Sequence, residues 1–318
     1  MVVSPGVDAA MAGVFGLLVG SFLNVVIHRL PLMMYREWLG EAVENLVPAE
    51  GFPGLWSLVF GRKAPMPKAL EDSAAAAVTQ VQALPSLSLM RPASRCPYCG
   101  AAIHWYQNVP VLSWLALRGR CASCRAPIGV RYPLVEIATG ALFAFCVMRF
   151  GVSLAAALWI AFCCILVCQF LIDLDTQLLP DDLNYLLLWL GLGAAALHVT
   201  QVPLASAVWG AVFGYLSLWA VYHAYRLLTG KLGFGYGDFK LLAALGAWFG
   251  AEYLFAIILL SSFVGAVLGL ILVALGRLAS LQVKMSYGPF LAATGLVALL
   301  LGPHGFHEYF GFAFPFDR

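Results

Sequence analysis

The chain has 318 residues, of which 62% are hydrophobic and 11% charged, with a mean hydropathy of +0.88. A soluble domain carries roughly 45 to 50% apolar residues, so this composition excludes an ordinary water-soluble globule and predicts an all-α polytopic membrane protein. The formal net charge of +2 excludes little, because in a membrane protein the placement of Lys and Arg matters more than their sum.

Residues 7–27 form the first apolar run, with one acid, Asp8, near its start. At ~1.5 Å rise per residue it is long enough to cross a ~30 Å hydrocarbon core. Nothing basic precedes it, so it is expected to stay as an anchor rather than act as a removable signal. It ends on His28 and Arg29, and 1–28 is taken as the first transmembrane helix. From 29 to 132 the composition turns basic, Pro-containing and soluble, and predicts an aqueous loop that holds a small domain. Apolar runs follow at 133–148, 152–172, 183–199, 202–225, 239–249, 253–275 and 287–302. They predict about eight transmembrane helices, seven of them in a membrane domain over 133–318. The run at 239–249 is shorter than the ~17 to 25 residues of a span and reads either as a crossing or as a re-entrant segment.

Charge placement bears on that choice. Lys and Arg accumulate in cytoplasmic loops. With the amino terminus outside and eight crossings, every Lys and Arg except Arg149 and Arg318 falls on the cytoplasmic side. If 239–249 did not cross, Arg277 and Lys284 would move outside, so the bias favours a crossing. This topology puts two carboxylates, Asp173 at the end of the third span and Asp238 at the start of the sixth, on the same side at similar depth.

Cys96-Pro97-Tyr98-Cys99 and Cys121-Ala122-Ser123-Cys124 are two CxxC pairs in the first loop, 21 residues apart. Four thiolates at that spacing can close a tetrahedron around zinc. Two disulfides are the alternative and need an oxidising compartment; the predicted cytoplasmic placement favours zinc. Such a closed site is structural and supplies folding energy to a loop without a large core. Cys146, Cys163, Cys164 and Cys168 sit inside spans, where apolar packing accounts for them.

Charged groups at hydrophobic depth are costly and mark functional sites. Asp173 directly follows an apolar run broken only by Gln169, whereas Asp181 and Asp182 read as polar connection, with Asp182 capping the next helix. Asp238 lies in Gly233-Phe234-Gly235-Tyr236-Gly237-Asp238-Phe239-Lys240. Its glycines put no side chain in the way of an extended peptide, and Gly235 and Gly237 are the expected substrate approach. Asp238 reads equally as a simple helix N-cap. Taken together, Asp173 and Asp238 suggest aspartyl chemistry, in which two close carboxylates hold one proton between them. His28, His104, His198, His223, His304 and His307 are scattered and form no nucleophile motif.

Gly20-Ser21-Phe22-Leu23-Asn24-Val25-Val26-Ile27-His28-Arg29-Leu30-Pro31, the two CxxC pairs, Arg131-Tyr132-Pro133-Leu134-Val135-Glu136, the segment from Asp173 to Asp181, and Gly235-Tyr236-Gly237-Asp238-Phe239-Lys240 together resemble the prepilin peptidases, also called type IV leader peptidases. The resemblance covers nearly the whole chain. It implies a bacterial inner-membrane enzyme of two activities: a GxGD-type aspartyl peptidase that removes the short basic leader of type IV prepilins and type II secretion pseudopilins at the cytoplasmic face, and an N-methyltransferase that uses S-adenosylmethionine on the new amino terminus. By motif position it puts the catalytic aspartates on Asp173 and Asp238, with Asp175 as the rival for the first role. The domain over 29–132, with zinc on Cys96, Cys99, Cys121 and Cys124, is longer than the family needs, and a flexible insertion is expected at about 51–94. No glycine-rich methyl-donor fingerprint occurs, so the cofactor site is not placed. Asn24, Arg131 and Glu136 are polar groups near the inner membrane surface for which helix packing or snorkelling is the simpler account. Membrane lipids and the pilin-type substrates are the expected partners, and no nucleic acid is. Two other readings share the paired aspartates, a presenilin-like protease of other membrane segments and a proton- or cation-coupled transporter. The cysteine loop and the amino-terminal motif weigh against the first, and the lack of internal repeats against the second.

Overall fold

The computed structural model describes residues 4–47, 55–61, 66–230, 235–277 and 286–310, with backbone only at 303–307, 309 and 310. Gly233, Lys231, Lys284, Arg318 and parts of the expected insertion lie outside the described residues. Eleven helices account for the described fold: α1 (Pro5–Glu44), α2 (Leu55–Phe60), α3 (Lys68–Gln82), α4 (Leu112–Ala116), α5 (Arg131–Phe150), α6 (Leu154–Thr176), α7 (Asp181–Ala196), α8 (Leu204–Thr229), α9 (Tyr236–Phe249), α10 (Leu254–Ala274) and α11 (Gly288–Phe310), the last broken at Gly302. The chain divides into two compact units, one of residues 1–24 and 105–318, the other of 25–104.

All eight apolar runs are helical. Five of the described helices, α1, α5, α6, α8 and α10, are long and apolar enough to cross a membrane, while α11 contributes a shorter apolar stretch, Gly288–Gly302. Helix α9, with 14 residues, spans only about 21 Å at 1.5 Å per residue, short of a ~30 Å core.

What α9 lacks in length it makes up in enclosure. Phe239, Leu241, Leu242, Leu245, Ala247 and Trp248 are all buried, and the helix packs on α7, α8, α10 and α11. A helix apolar on every face belongs inside a bundle rather than at its surface. Because lipid tails are as apolar as leucine, close packing rather than water exclusion must hold such helices together. Gly210 of α8 and Gly246 of α9 face each other so closely that a β-carbon on either would overlap the other's carbonyl. A β-carbon on Gly214 would stand 2.7 Å from the Leu242 carbonyl oxygen. At the far end of α9, Trp248 packs with tilted rings against Trp159 and Phe162 of α6 and donates its indole N–H to the Leu187 carbonyl at 2.8 Å.

The first helix continues well past the membrane run. Helix α1 extends to Glu44, whereas the hydropathy profile ends at His28. Charged residues end an apolar run without ending a helix, and Leu, Met, Arg and Glu are all strong helix formers. Within the unit of 25–104, Arg29 and Arg36 on this extension donate to the carbonyls of Ser88 at 3.0 Å and Pro85 at 2.9 Å. The Ala-rich stretch inside 51–94 is helical as α3, since alanine gives up no side-chain entropy in a helix.

Candidate active site

Helix α6 stops because Gln177 adopts a left-handed conformation, φ 55°, and returns its N–H to the Asp173 carbonyl at 2.9 Å. That leaves Asp173 in the last turn, 2% exposed, while Asp175 points outward, 42% exposed, and pairs with Arg131 of α5 at 2.7 Å. Of the two rivals for the first carboxylate position, only Asp173 is buried. The Ser286 hydroxyl donates to Asp173 Oδ2, and Gly288 packs so tightly on it that a β-carbon there would lie 3.1 Å from Asp173 Cγ.

Asp238 is not the N-cap of α9. Gly235 occupies that position and Asp238 the third helical one, where its Oδ2 accepts the Gly235 N–H at 3.2 Å. This is the returning half of a capping box; glycine has no side chain to supply the other half. The residue is nonetheless only 6% exposed, which a purely surface cap does not require. Asp181 and Asp182 also differ from expectation. Pro180 holds the cap position of α7 without a side-chain bond, and both aspartates fall in the first turn. Asp181 pairs with Lys240 of α9 at 2.6 Å, and the ammonium also sits 5.3 Å over the Tyr185 ring.

The surroundings of the two buried carboxylates meet at one residue, Leu179. Ser286 and Gly288 touch Asp173. Leu179 lies just before α7. A β-carbon on Gly237 would lie 2.7 Å from Leu179 Cβ, and one on Gly288 would lie 3.0 Å from Leu179 Cδ1. The bare face of Gly237 is therefore filled by Leu179, whereas Gly235 is exposed. Hydropathy gave no reason to single out Ser286, Tyr287 or Gly288, which read as the edge of the last apolar run; a Ser-Tyr-Gly-Pro step at a membrane boundary is the one signal the sequence offers.

One turn inward from Asp173 on the same helix, Gln169 donates to Asn184 at 2.8 Å, tying α6 to α7 inside the bundle. The other polar groups noted near this surface have internal partners. Arg131 holds Asp175, the Asn24 amide donates to the Tyr132 carbonyl at 3.2 Å, and buried Glu136 accepts the Val111 N–H at 2.7 Å.

The cysteines form two knuckles of one design. In each, an antiparallel bridge, Arg95 to Ala102 or Arg120 to Pro127, closes a turn in which the first cysteine's N–H donates across the loop, Cys96 to Ala101 and Cys121 to Ala126. The residue after the second cysteine has a positive φ in both, Gly100 at 70° and Arg125 at 61°. The Sγ atoms of Cys96, Cys99, Cys121 and Cys124 all lie within 4.8 Å of one another. In a tetrahedral site with Zn–S near 2.3 Å the sulfurs stand roughly 3.8 Å apart, so the four thiols fit one metal ion after a small inward adjustment.

Fold and site together define a polytopic helical membrane protein with two buried aspartates at helix ends and a four-cysteine module. Residues 14–150 match the bacterial peptidase A24 N-terminal domain and residues 160–270 the type IV leader peptidase family. The chain is 46% identical over 301 residues to the prepilin leader peptidase/N-methyltransferase of Stutzerimonas stutzeri, covering 94% of this chain and 93% of the relative. It is 47% identical over 298 residues to that of Pseudomonas aeruginosa, covering 94% and 92%, and 45% identical to that of Burkholderia pseudomallei, covering 93% and 86%. The chain belongs to the type IV leader peptidase family. No solved structure matches it significantly.

Proposed function

We propose that this protein is a membrane aspartyl endopeptidase that removes the leader from type IV prepilins and type II secretion pseudopilins, and that methylates the amino terminus it exposes. The observation that carries the peptidase reading is the burial of Asp173 and Asp238, beside Gly288 and Gly237 that both pack on Leu179, in a chain that pairs its neighbouring aspartates with Arg131 and Lys240. The names of the relatives, prepilin leader peptidase/N-methyltransferase, supply the substrate class and the second activity.

Asp173 and Asp238 share one proton in this reading. The ionised partner takes a proton from water as the water attacks the peptide carbonyl, while the protonated partner gives its proton to the developing oxyanion. The proton taken from water then passes to the leaving amine, and collapse of the tetrahedral intermediate returns a hydroxyl proton to the second carboxylate. Their titration belongs to the pair. An extended leader approaches past the exposed backbone of Gly235 and towards Gly237, displacing Leu179 from its seat there. The site faces the cytoplasm from the bacterial inner membrane, consistent with the Lys and Arg bias of the loops.

Cys96, Cys99, Cys121 and Cys124 are the residues that would hold zinc. Bound there, a closed tetrathiolate site supplies folding energy to the loop and no open position for catalysis. S-Adenosylmethionine is the methyl donor the second activity calls for. Among the described residues there is neither a strand nor a glycine-rich turn of the Rossmann type to hold it.

The test is incubation of purified protein with a prepilin and a labelled methyl donor, scoring leader removal and methyl transfer separately. Asp173→Ala and Asp238→Ala are expected to abolish leader removal while the protein remains inserted. Robust cleavage by either variant in detergent would sink the dyad.

A further inference from the structure

The last apolar helix is preceded by a segment whose three side-chain positions have different duties. Ser286 donates its hydroxyl hydrogen to Asp173 Oδ2. Gly288 lies against the same carboxyl group and against Leu179, with no room for a β-carbon. Tyr287 is anchored away from both, its hydroxyl meeting the Ile258 carbonyl at 3.3 Å and the Ser262 hydroxyl at 3.1 Å on α10. The segment is thus fixed to α10 by one residue and applied to Asp173 by the two that flank it.

A carboxyl group needs such fixing. Rotation about the aspartate χ2 bond is broad and roughly two-fold rather than confined to narrow staggered wells, so burial does not by itself set the plane in which the oxygens lie. A hydroxyl donor held by its own backbone does set it. A bond to an ionised acceptor is also about twice as strong as one between neutral groups. Asp238 has a different device, the Gly235 N–H at the start of its own helix.

We propose that Ser286 is the positioning residue for Asp173: its hydroxyl fixes the plane of the Asp173 carboxyl group, and the bare Cα of Gly288 lets the segment come close enough to do so. This rests on the aspartyl reading above. The role is one of orientation. Ser286 itself contributes no proton to the reaction, and its loss acts on turnover rather than on substrate binding.

The experiment compares Ser286→Ala, Ser286→Thr and Gly288→Ala with wild type, measuring kcat and KM for leader removal and, separately, methyl transfer to a peptide that already lacks its leader. Asp173→Asn serves as control. Loss of a hydrogen bond to a charged group corresponds to about a ten- to hundred-fold effect, expected in kcat for Ser286→Ala with KM within about twofold. Ser286→Thr, which keeps the hydroxyl, is expected to recover most of the rate, and Gly288→Ala to lose at least as much as Ser286→Ala. Methyl transfer should be unaffected in all of them. Wild-type kcat in Ser286→Ala would overturn the inference, and so would a parallel fall of cleavage and methyl transfer, since that marks a general loss of fold. Full cleavage by Asp173→Asn would overturn the aspartyl reading itself. An inactive Asp173→Asn beside a fully active Ser286→Ala would leave that reading standing and remove only the positioning role.

Discussion

The cysteine module and the carboxylate site organise reactive side chains in opposite ways. Each cysteine knuckle is built by its own few residues, through one bridge, one cross-turn N–H and one positive φ. The carboxylate site has no local architecture of that kind. Asp173 is at the end of α6, Asp238 at the start of α9, Leu179 on the connection into α7 and Ser286 before α11, and packing among the helices brings them together. A motif made locally tolerates changes elsewhere in the fold, whereas a site assembled from four segments depends on every contact that sets their depth.

Variants can break that contrast. The largest effect is expected at the aspartates. Replacing either Asp173 or Asp238 by Ala should reduce leader removal by a factor on the order of 10³ or more, with methyl transfer to a precleaved peptide intact, as read by mass spectrometry of both products. Next comes Cys96→Ser with Cys99→Ser. Near-stoichiometric zinc should be lost in elemental analysis and the loop around the knuckles should become sensitive to protease, as in wild type treated with a chelator. Metal-free protein with an intact loop would contradict the zinc assignment.

A smaller change tests the assembly of the carboxylate site. Gly237→Ala puts a β-carbon 2.7 Å from that of Leu179, and overpacking of this kind costs about 1–3 kcal/mol. Cleavage should fall roughly 5- to 100-fold at that cost, and Leu179→Ala in the same chain should restore part of it. If the double variant is no better than the single one, Leu179 is not what Gly237 makes room for. The smallest effects are expected at the exposed ion pairs. Asp175→Asn and Lys240→Met each remove a partly exposed pair, worth about 0–1 kcal/mol. Thermal unfolding in detergent should shift little and cleavage by Asp175→Asn should stay near wild type, against the complete loss at Asp173 two residues earlier.

That neighbouring pair also shows how far sequence reading reaches. Asp173 and Asp175 lie in one acidic connection, and motif position favoured the first. Its burial, against the exposure of Asp175, comes from the left-handed stop at Gln177 and from Arg131 across on α5. Neither could be inferred from the composition of the segment. The helical reading of Asp238 was close without being right. The residue lies in the first turn of α9, but as the third helical position, because the glycine before Tyr236 can take the cap. The first transmembrane run ends at His28 while helix α1 continues to Glu44, since hydropathy reports where a helix leaves lipid and hydrogen bonding decides where it stops.

By itself the sequence determined that the chain is helical and membrane-embedded, which stretches are apolar, and which cysteines belong together. These follow from composition, run length and short spacing, all of which act through near neighbours. It also singled out Asp173 and Asp238 as carboxylates at a depth where charge is costly. Only the tertiary structure decided that Leu179 fills the face of Gly237, that α9 is enclosed on all sides, and that Ser286, Tyr287 and Gly288 form a third arm of the site. Those contacts join residues far apart along the chain, and their geometry is set by how closely glycine-bearing helices can pack, a property of surfaces in contact that no single stretch of sequence contains.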